Sequence, residues 1–332
     1  MNNEIDLLDL FRKFLGMKKA RLTICSLISC LLLAGCSPDV GYTAIEDLVF
    51  ADEVFKDCVI GEARKNEWLS AGDVQKLHCV NPTGRKISSL AGIESLHNIR
   101  ELDFAHNAIS DLAPLTALNK LEHLHLDDNQ VSQIPDGISH ISITHLTLDR
   151  NMISDVSKFN IFQRLEVLDL AANQIDDVTA LQAIPTLHTL NLGQNKISDL
   201  SAIGAFLDLK ALDLGHNRIT DISALENLRQ IEHLYLNSNH INDITPLAGL
   251  SELREIDLSS NEVTSIEPLI ELENVWRLLL DNNPIESIEP LLDFSELELI
   301  SLRGVEGLSC ENIKKLKEEV KQDALIMDDY CL

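Results

Sequence analysis

Residues 209–225 read L-K-A-L-D-L-G-H-N-R-I-T-D-I-S-A-L, and most of the chain is a variation on this phrase. Its asparagine, Asn217, has counterparts at Asn107, Asn129, Asn151, Asn173, Asn195, Asn239, Asn261 and Asn283, in constant steps of 22 residues. Leucine, isoleucine or a close substitute stands eight, five and three residues before each asparagine, and again two and five after it. A leucine-rich helix would instead repeat at about 3.5 or 3.6 residues. The L-x-L alternation puts Leu212 and Leu214 on one face of a short strand, and Ala211 and Asp213 on the other. One such strand cannot bury its apolar face alone, so repeats must stack and the sheet must be parallel. The asparagine follows where the chain turns away from the sheet. Its side chain carries both a donor and an acceptor, which suits it to backbone groups of adjacent turns that water cannot reach. The nine asparagines are therefore expected to form a structural ladder.

The core L-x-x-L-x-L-x-x-N at a fixed period in the twenties resembles the leucine-rich repeat. The 22-residue step, with short convex turns, looks most like the internalin class of bacterial surface proteins. The regulatory subunit of protein phosphatase 1 has a similar repeat. The resemblance implies an α/β solenoid: a right-handed horseshoe with a parallel concave sheet, short 3-10 or helical convex turns, and helical N- and C-caps. For function it implies only that something is bound. The expected organisation is a signal region (1–35), an N-terminal helical cap (36–76), an array of about ten repeats (77–304) and a C-terminal helical cap (305–332).

The leading segment carries its own signal. A basic stretch (Lys18, Lys19, Arg21) precedes an apolar run from Leu22 to Ala34, the layout of a secretory signal and short for a membrane span of about 20 residues. The acidic Glu4, Asp6 and Asp9 ahead of it point to Met17 as the true start. The run closes in L-A-G-C (33–36), which resembles a bacterial lipobox. That resemblance implies cleavage before Cys36, lipidation of its sulfur and, with Ser37 following, export to the outer membrane of a Gram-negative bacterium. More than one acyl chain makes such an anchor stable.

Seven cysteines are present. Cys25 and Cys30 leave with the signal and Cys36 takes lipid, so Cys58, Cys79, Cys310 and Cys331 remain, a pair at each end of the array. In an exported chain they are expected to form two cap disulfides; zinc is disfavoured by their separation and the lack of C-x-x-C spacing. Thr43 with Glu46, and Ser70 with Asp73, are capping-box patterns, and helices are expected near 52–65 and 71–78 over Phe50, Phe55, Trp68 and Leu77. The segments 50–58, 77–81 and 87–96 resemble the N-terminal cap of bacterial leucine-rich-repeat proteins. Asp111, Asp155, Asp177, Asp199, Asp221 and Asp243 share one column, placed to cap the convex turns. At the other end, 309–320 begins with a helix cap and sets Ile313, Leu316 and Val320 on one face, expected to cover the trailing sheet edge.

The formal charge is −26, which disfavours nucleic acid and anionic headgroups as direct partners. Membrane attachment is expected only through the lipid. Function is sought in strand positions six, four and two residues before each asparagine, which face out of the sheet. At the leading end these include His123, His125, His145 and Asp127, beside Glu101, Asp103 and Asp149. Such a set is a candidate for Zn²⁺ or a similar ion; the alternative is a solvated polar face for a partner's basic side chains. At the trailing end Tyr235, Trp276, Arg277 and Leu279, with His233 and Asp257, are candidate anchors for a protein ligand. No phosphate loop, nucleophile elbow or H-E-x-x-H occurs. The expectation is a monomeric, lipid-anchored binding protein that is no enzyme and needs no cofactor. A protein or glycan ligand is expected on the concave face; the alternative is a regulatory subunit that docks on an enzyme.

Overall fold

The computed structural model describes residues 43–81, 84–138, 142–294, 297–319 and 324–328. The signal region, the lipobox with Cys36, and Cys331 lie outside the described residues. One compact unit runs Ala44–Leu332, and none of the described helices is long and apolar enough to cross a membrane.

Its spine is a parallel sheet of short strands in sequence order. They are β1 (Lys76–His78), β2 (Glu101–Asp103), β3 (His123–His125), β4 (His145–Thr147), β5 (Val167–Asp169) and β6 (Thr189–Asn191), then β7 (Ala211–Asp213), β8 (His233–Tyr235), β9 (Glu255–Asp257), β10 (Arg277–Leu279), β11 (Leu299–Ser301) and β12 (Leu325–Ile326). From β2 to β11 each residue pairs with the one 22 positions on, as Leu212 pairs with Leu190 and Leu234. From β2 to β10 the central residue of each strand is buried and its neighbours are half-exposed, the period-2 pattern of a sheet with one face on a core. One turn contributes Leu209, Leu212, Leu214, Ile219, Ile222, Leu225 and Leu228 to that core, all essentially inaccessible. Each fully buried leucine or isoleucine is worth about 1.5–3 kcal/mol.

The asparagines lock one turn to the next. Asn195 Nδ2 donates to the carbonyls of Leu170 (3.0 Å), Leu192 (3.0 Å) and Gly193 (3.2 Å), while its Oδ1 accepts from the Ile175 N–H (3.0 Å). The same set recurs at Asn129, Asn151, Asn173, Asn217, Asn239 and Asn261. The residue before each asparagine, from His106 to Asn282, is left-handed, with φ between 52° and 61°. On the outer side each aspartate of the convex column accepts from the N–H two residues on, as Asp221 does from Ser223 at 2.8 Å. Asp221 acts from just outside the 3-10 turn, one position before Ile222, which caps it. Ser265 and Ser287 take this role in the last turns.

The leading end departs from the period. β1 pairs with β2 at a step of 25 residues, as between Lys76 and Glu101. The helix α1 (Glu53–Asn66) covers it, and the disulfide Cys58–Cys79 joins the two. Asp52 caps α1 through Val54 and Phe55 N–H, and its other oxygen takes the N–H and hydroxyl of Ser88. Phe50, Phe55 and Phe104 pack edge to face beneath, with centroids 4.7 and 5.5 Å apart. Gly92 sits at φ 107°, where a Cβ would lie 2.3 Å from the Val49 carbonyl, so the cap closes on the first turn only because that atom is missing. The helix expected over 71–78 is not formed. A 3-10 turn (Ala71–Asp73) leads into β1, where Leu77 pairs with Leu102 and both are fully buried.

At the trailing end α2 (Cys310–Glu319) buries Ile313 and Leu316 and packs on the last convex turn. The sheet edge is met by β12, which pairs with β11 in parallel, and not by the helix expected there. Two residues without clear alternation carry too little pattern to announce a strand. Cys310 is disulfide-bonded, and its expected partner, Cys331, lies outside the described residues.

Candidate functional site

The inner face of the sheet presents three columns. In the middle column the side chains first serve the backbone. Asp103, Asp169, Asn191, Asp213 and Asp257 each accept through Oδ1 from the N–H two residues later, at 2.8–3.1 Å. These contacts close the end of each strand, so Asp257, a candidate ligand contact from sequence, is partly occupied by structure.

Between β4 and β8 the face is hollowed. A cavity of about 250 Å³ is lined by Thr147, Val167, Asp169, Thr189, Asn191, Ala211, Asp213 and Tyr235 above the core leucines. It exists because β5, β6 and β7 begin with Val167, Thr189 and Ala211, whereas the flanking strands carry His145 and His233 at that position. Three consecutive small residues in one column were visible in the sequence; the depth they leave was not, because it depends on the height of both walls. Burial raises the carboxyl pKa of Asp169 despite donors from Ala171 and Asn191, and burial likewise raises that of Asp213 against the Gly215 N–H. Asp169 Oδ2 accepts from Asn191 Nδ2 at 3.1 Å.

The leading wall is the histidine group. The His123 and His145 rings lie with centroids 4.4 Å apart, tilted by 44°. His125 Nδ1 meets Thr147 Oγ1 at 3.1 Å, and Thr147 donates to Asp127 Oδ2 at 2.7 Å. His145 Nδ1 is taken by Thr144 Oγ1 at 2.9 Å, and burial together with the adjacent His123 lowers the His145 pKa. Among the described residues no three His, Cys, Asp or Glu side chains converge as a metal site requires. Within the group, His125, Thr147 and Asp127 are linked in one short hydrogen-bonded chain. Burial and then the neighbouring Asp127 carboxyl raise the Asp149 pKa to about 6.

At the trailing wall the side chains meet on a residue the sequence reading passed over. Glu255 accepts from the Tyr235 hydroxyl (2.9 Å) and Arg277 (3.3 Å), and His233 Nδ1 lies 3.5 Å from its other oxygen. Burial, then the Glu255 contact, pushes the Tyr235 pKa up to about 12. The signal was a carboxylate between His233 and Arg277 in one column, one strand from each. Leu279 is half-buried beside Asp257 and Ser301. Trp276 precedes β10 and aligns with Arg254 and Glu298, outside the three inner columns and apart from Tyr235.

A stacked parallel sheet with an asparagine ladder, capped at the leading end by a disulfide-tethered helix, defines the class: the chain is a leucine-rich-repeat protein. The family profile described as Leucine rich repeat matches residues 185–241, and that described as Leucine Rich repeats (2 copies) matches 97–140 and 229–271. Among solved structures the chain is similar to an internalin, InlF, of Listeria monocytogenes (24% identity, 88% of this chain, 95% of that one, TM-score 0.71). It is also similar to the functional domain of InlJ from the same organism (23% identity, 86% and 67% coverage, TM-score 0.63). A third likeness is the ectodomain of an Arabidopsis thaliana receptor kinase solved in complex with Casparian strip integrity factor 2 (18% identity, 73% and 37% coverage, TM-score 0.55). No curated protein matches by sequence.

Proposed function

We propose that this is a lipid-anchored outer-membrane protein that binds a protein partner along its concave face and acts as a monomer without catalysis. The observation that carries the binding reading is the hollow over β5–β7, flanked by the histidine group and the Glu255 cluster. Here half-buried polar and aromatic groups surround an apolar floor, the composition of a recognition site. The complex of the Arabidopsis ectodomain with Casparian strip integrity factor 2 is a precedent for ligand binding by the same fold. The basic stretch, apolar run and L-A-G-C of residues 18–36 support the anchor.

The test places a photo-crosslinker at Thr189, inside the hollow, or at Thr116, on the convex side, in cells that make the protein. A discrete partner adduct from Thr189 and none from Thr116 is expected. Adducts from Thr116 alone would overturn the concave-face reading. In the same strain Cys36→Ala is expected to abolish acylation, read by mass spectrometry; a mature chain retaining residues 17–35 would refute the anchor.

A further inference from the structure

We propose, resting on the concave-face reading, that the hollow over β5–β7 receives a lysine side chain of the protein partner. Three observations specify that occupant.

The first is shape. The floor and sides are Val167, Ala211 and the core leucines, with Tyr235 as the far wall. A trough three strands wide spans roughly 10–15 Å at about 4.8 Å per strand. It accommodates a four-carbon stem laid across small residues.

The second is charge. Asp169 and Asp213 both line the hollow, and in both burial disfavours the ionised form. Of the inner-face cations, Lys76 is paired with Glu101 and Arg277 with Glu255, outside the hollow. Asp213 makes no ion pair within the described residues, and its Oδ1 takes the Gly215 N–H. A half-buried carboxylate of this kind gains most from an incoming cation, since the counter-charge offsets its desolvation.

The third is the presentation of the oxygens. Asp213 Oδ1 and Asp169 Oδ1 are held by backbone N–H groups, and Asp169 Oδ2 is shared with Asn191. A guanidinium fork on either carboxylate would have to share an oxygen that a backbone N–H or Asn191 already engages. A compact ammonium, which takes acceptors singly and from several directions, suits this arrangement better than the planar arginine head.

The test uses the purified protein with isotope-labelled valine and leucine methyl groups, read by NMR. Nα-acetyl-lysine methylamide is titrated in parallel with its uncharged norleucine counterpart and its arginine counterpart. Saturable shifts of the Val167 methyls with the lysine compound, weakening as salt is added, are expected; the norleucine compound should leave them unmoved. Asp213→Asn is expected to weaken the lysine titration by roughly fivefold or more. Asn191 already occupies the same column and holds the Gly193 N–H, so an amide fits there without disturbing the strand. Ala211→Leu fills the hollow and should abolish the shifts, with an unchanged circular dichroism melt confirming the fold. Equal response to the lysine and norleucine compounds, tighter binding of the arginine compound, or indifference to Asp213→Asn each overturns the assignment. In cells, Thr189 adducts that persist undiminished in Asp213→Asn would remove the lysine and leave concave-face binding standing. Loss of adducts from every inner position in the unmutated protein would remove both.

Discussion

Replacing Asn195, at the middle of the ladder, isolates what one rung contributes. Asn195→Ala deletes three donated bonds and one accepted bond, but the losses are unequal. The Leu170 carbonyl keeps Asn173, the Leu192 carbonyl keeps Asn217, and the Gly193 carbonyl keeps the Ala172 N–H. The Ile175 N–H is left with no acceptor in a region that water does not reach. An orphaned buried donor costs about 1–3 kcal/mol, and the lost bonds and small void bring the total to about 2–4 kcal/mol. Urea unfolding followed by circular dichroism measures it. Asn195→Asp sharpens the reasoning. The new carboxylate can still accept from Ile175, but its second oxygen faces three carbonyl oxygens, so its folded-state pKa must rise. A raised pKa means the folded state holds a proton that the unfolded chain has released. Stability should therefore increase as pH falls through the folded value, and level off below the unfolded value of about 3.9. A loss below about 1 kcal/mol in Asn195→Ala, or an Asn195→Asp variant that gains nothing on acidification relative to the parent, would refute this account of the ladder.

Three further outcomes are expected. The Asp149 pKa, raised to about 6 by burial and by Asp127, makes its ionised form a cost to the fold. Discounted for solvent screening, Asp149→Asn should thus stabilise at pH 7 by about 1–2 kcal/mol, and remove the stability that the parent gains between about pH 6 and 4; a variant less stable at pH 7 contradicts the assignment. Ala172 holds φ 52° without being glycine, so Ala172→Gly should stabilise by about 0.5–1 kcal/mol in thermal unfolding, whereas Ala171→Gly, one residue earlier, should destabilise. Asp52 accepts from α1 and from Ser88; burial alone would raise its pKa, yet the donated bonds outweigh that and lower it. Asp52→Ala should cost about 1–2 kcal/mol at pH 7. The parent should lose that increment only as pH falls below the unfolded value and through the lowered folded one; hydrogen exchange should show α1 and β1 opening first.

The site was partly legible from the same columns. Reading positions six, four and two before each asparagine brought Tyr235, Arg277 and His233 onto one surface, and the structure joins them through Glu255. Trp276 was grouped with them by sequence proximity, but one residue before the strand is enough to move a side chain out of the columns. The histidine group was recognised as a cluster. Its rings turn toward threonine hydroxyls and toward each other, a preference of local geometry that residue types do not announce.

By itself the sequence determined the period, the strand faces, the ladder and the aspartates of the convex turns. Each follows from a local rule repeated at constant spacing, so ten imperfect copies confirm one another. It also marked the leading cysteines, whose bridge the structure contains. Only the tertiary structure decided the 25-residue first step, the two-residue closing strand, the left-handed residue before every asparagine and the hollow over β5–β7. The first two occur once each and carry no repetition to read. The left-handed positions hold His, Asp, Arg, Ala, Gln, Ser and Asn, so no glycine signals them. The hollow belongs to no single repeat. It is the difference in height between side chains 22 residues apart, and stacking alone makes them neighbours.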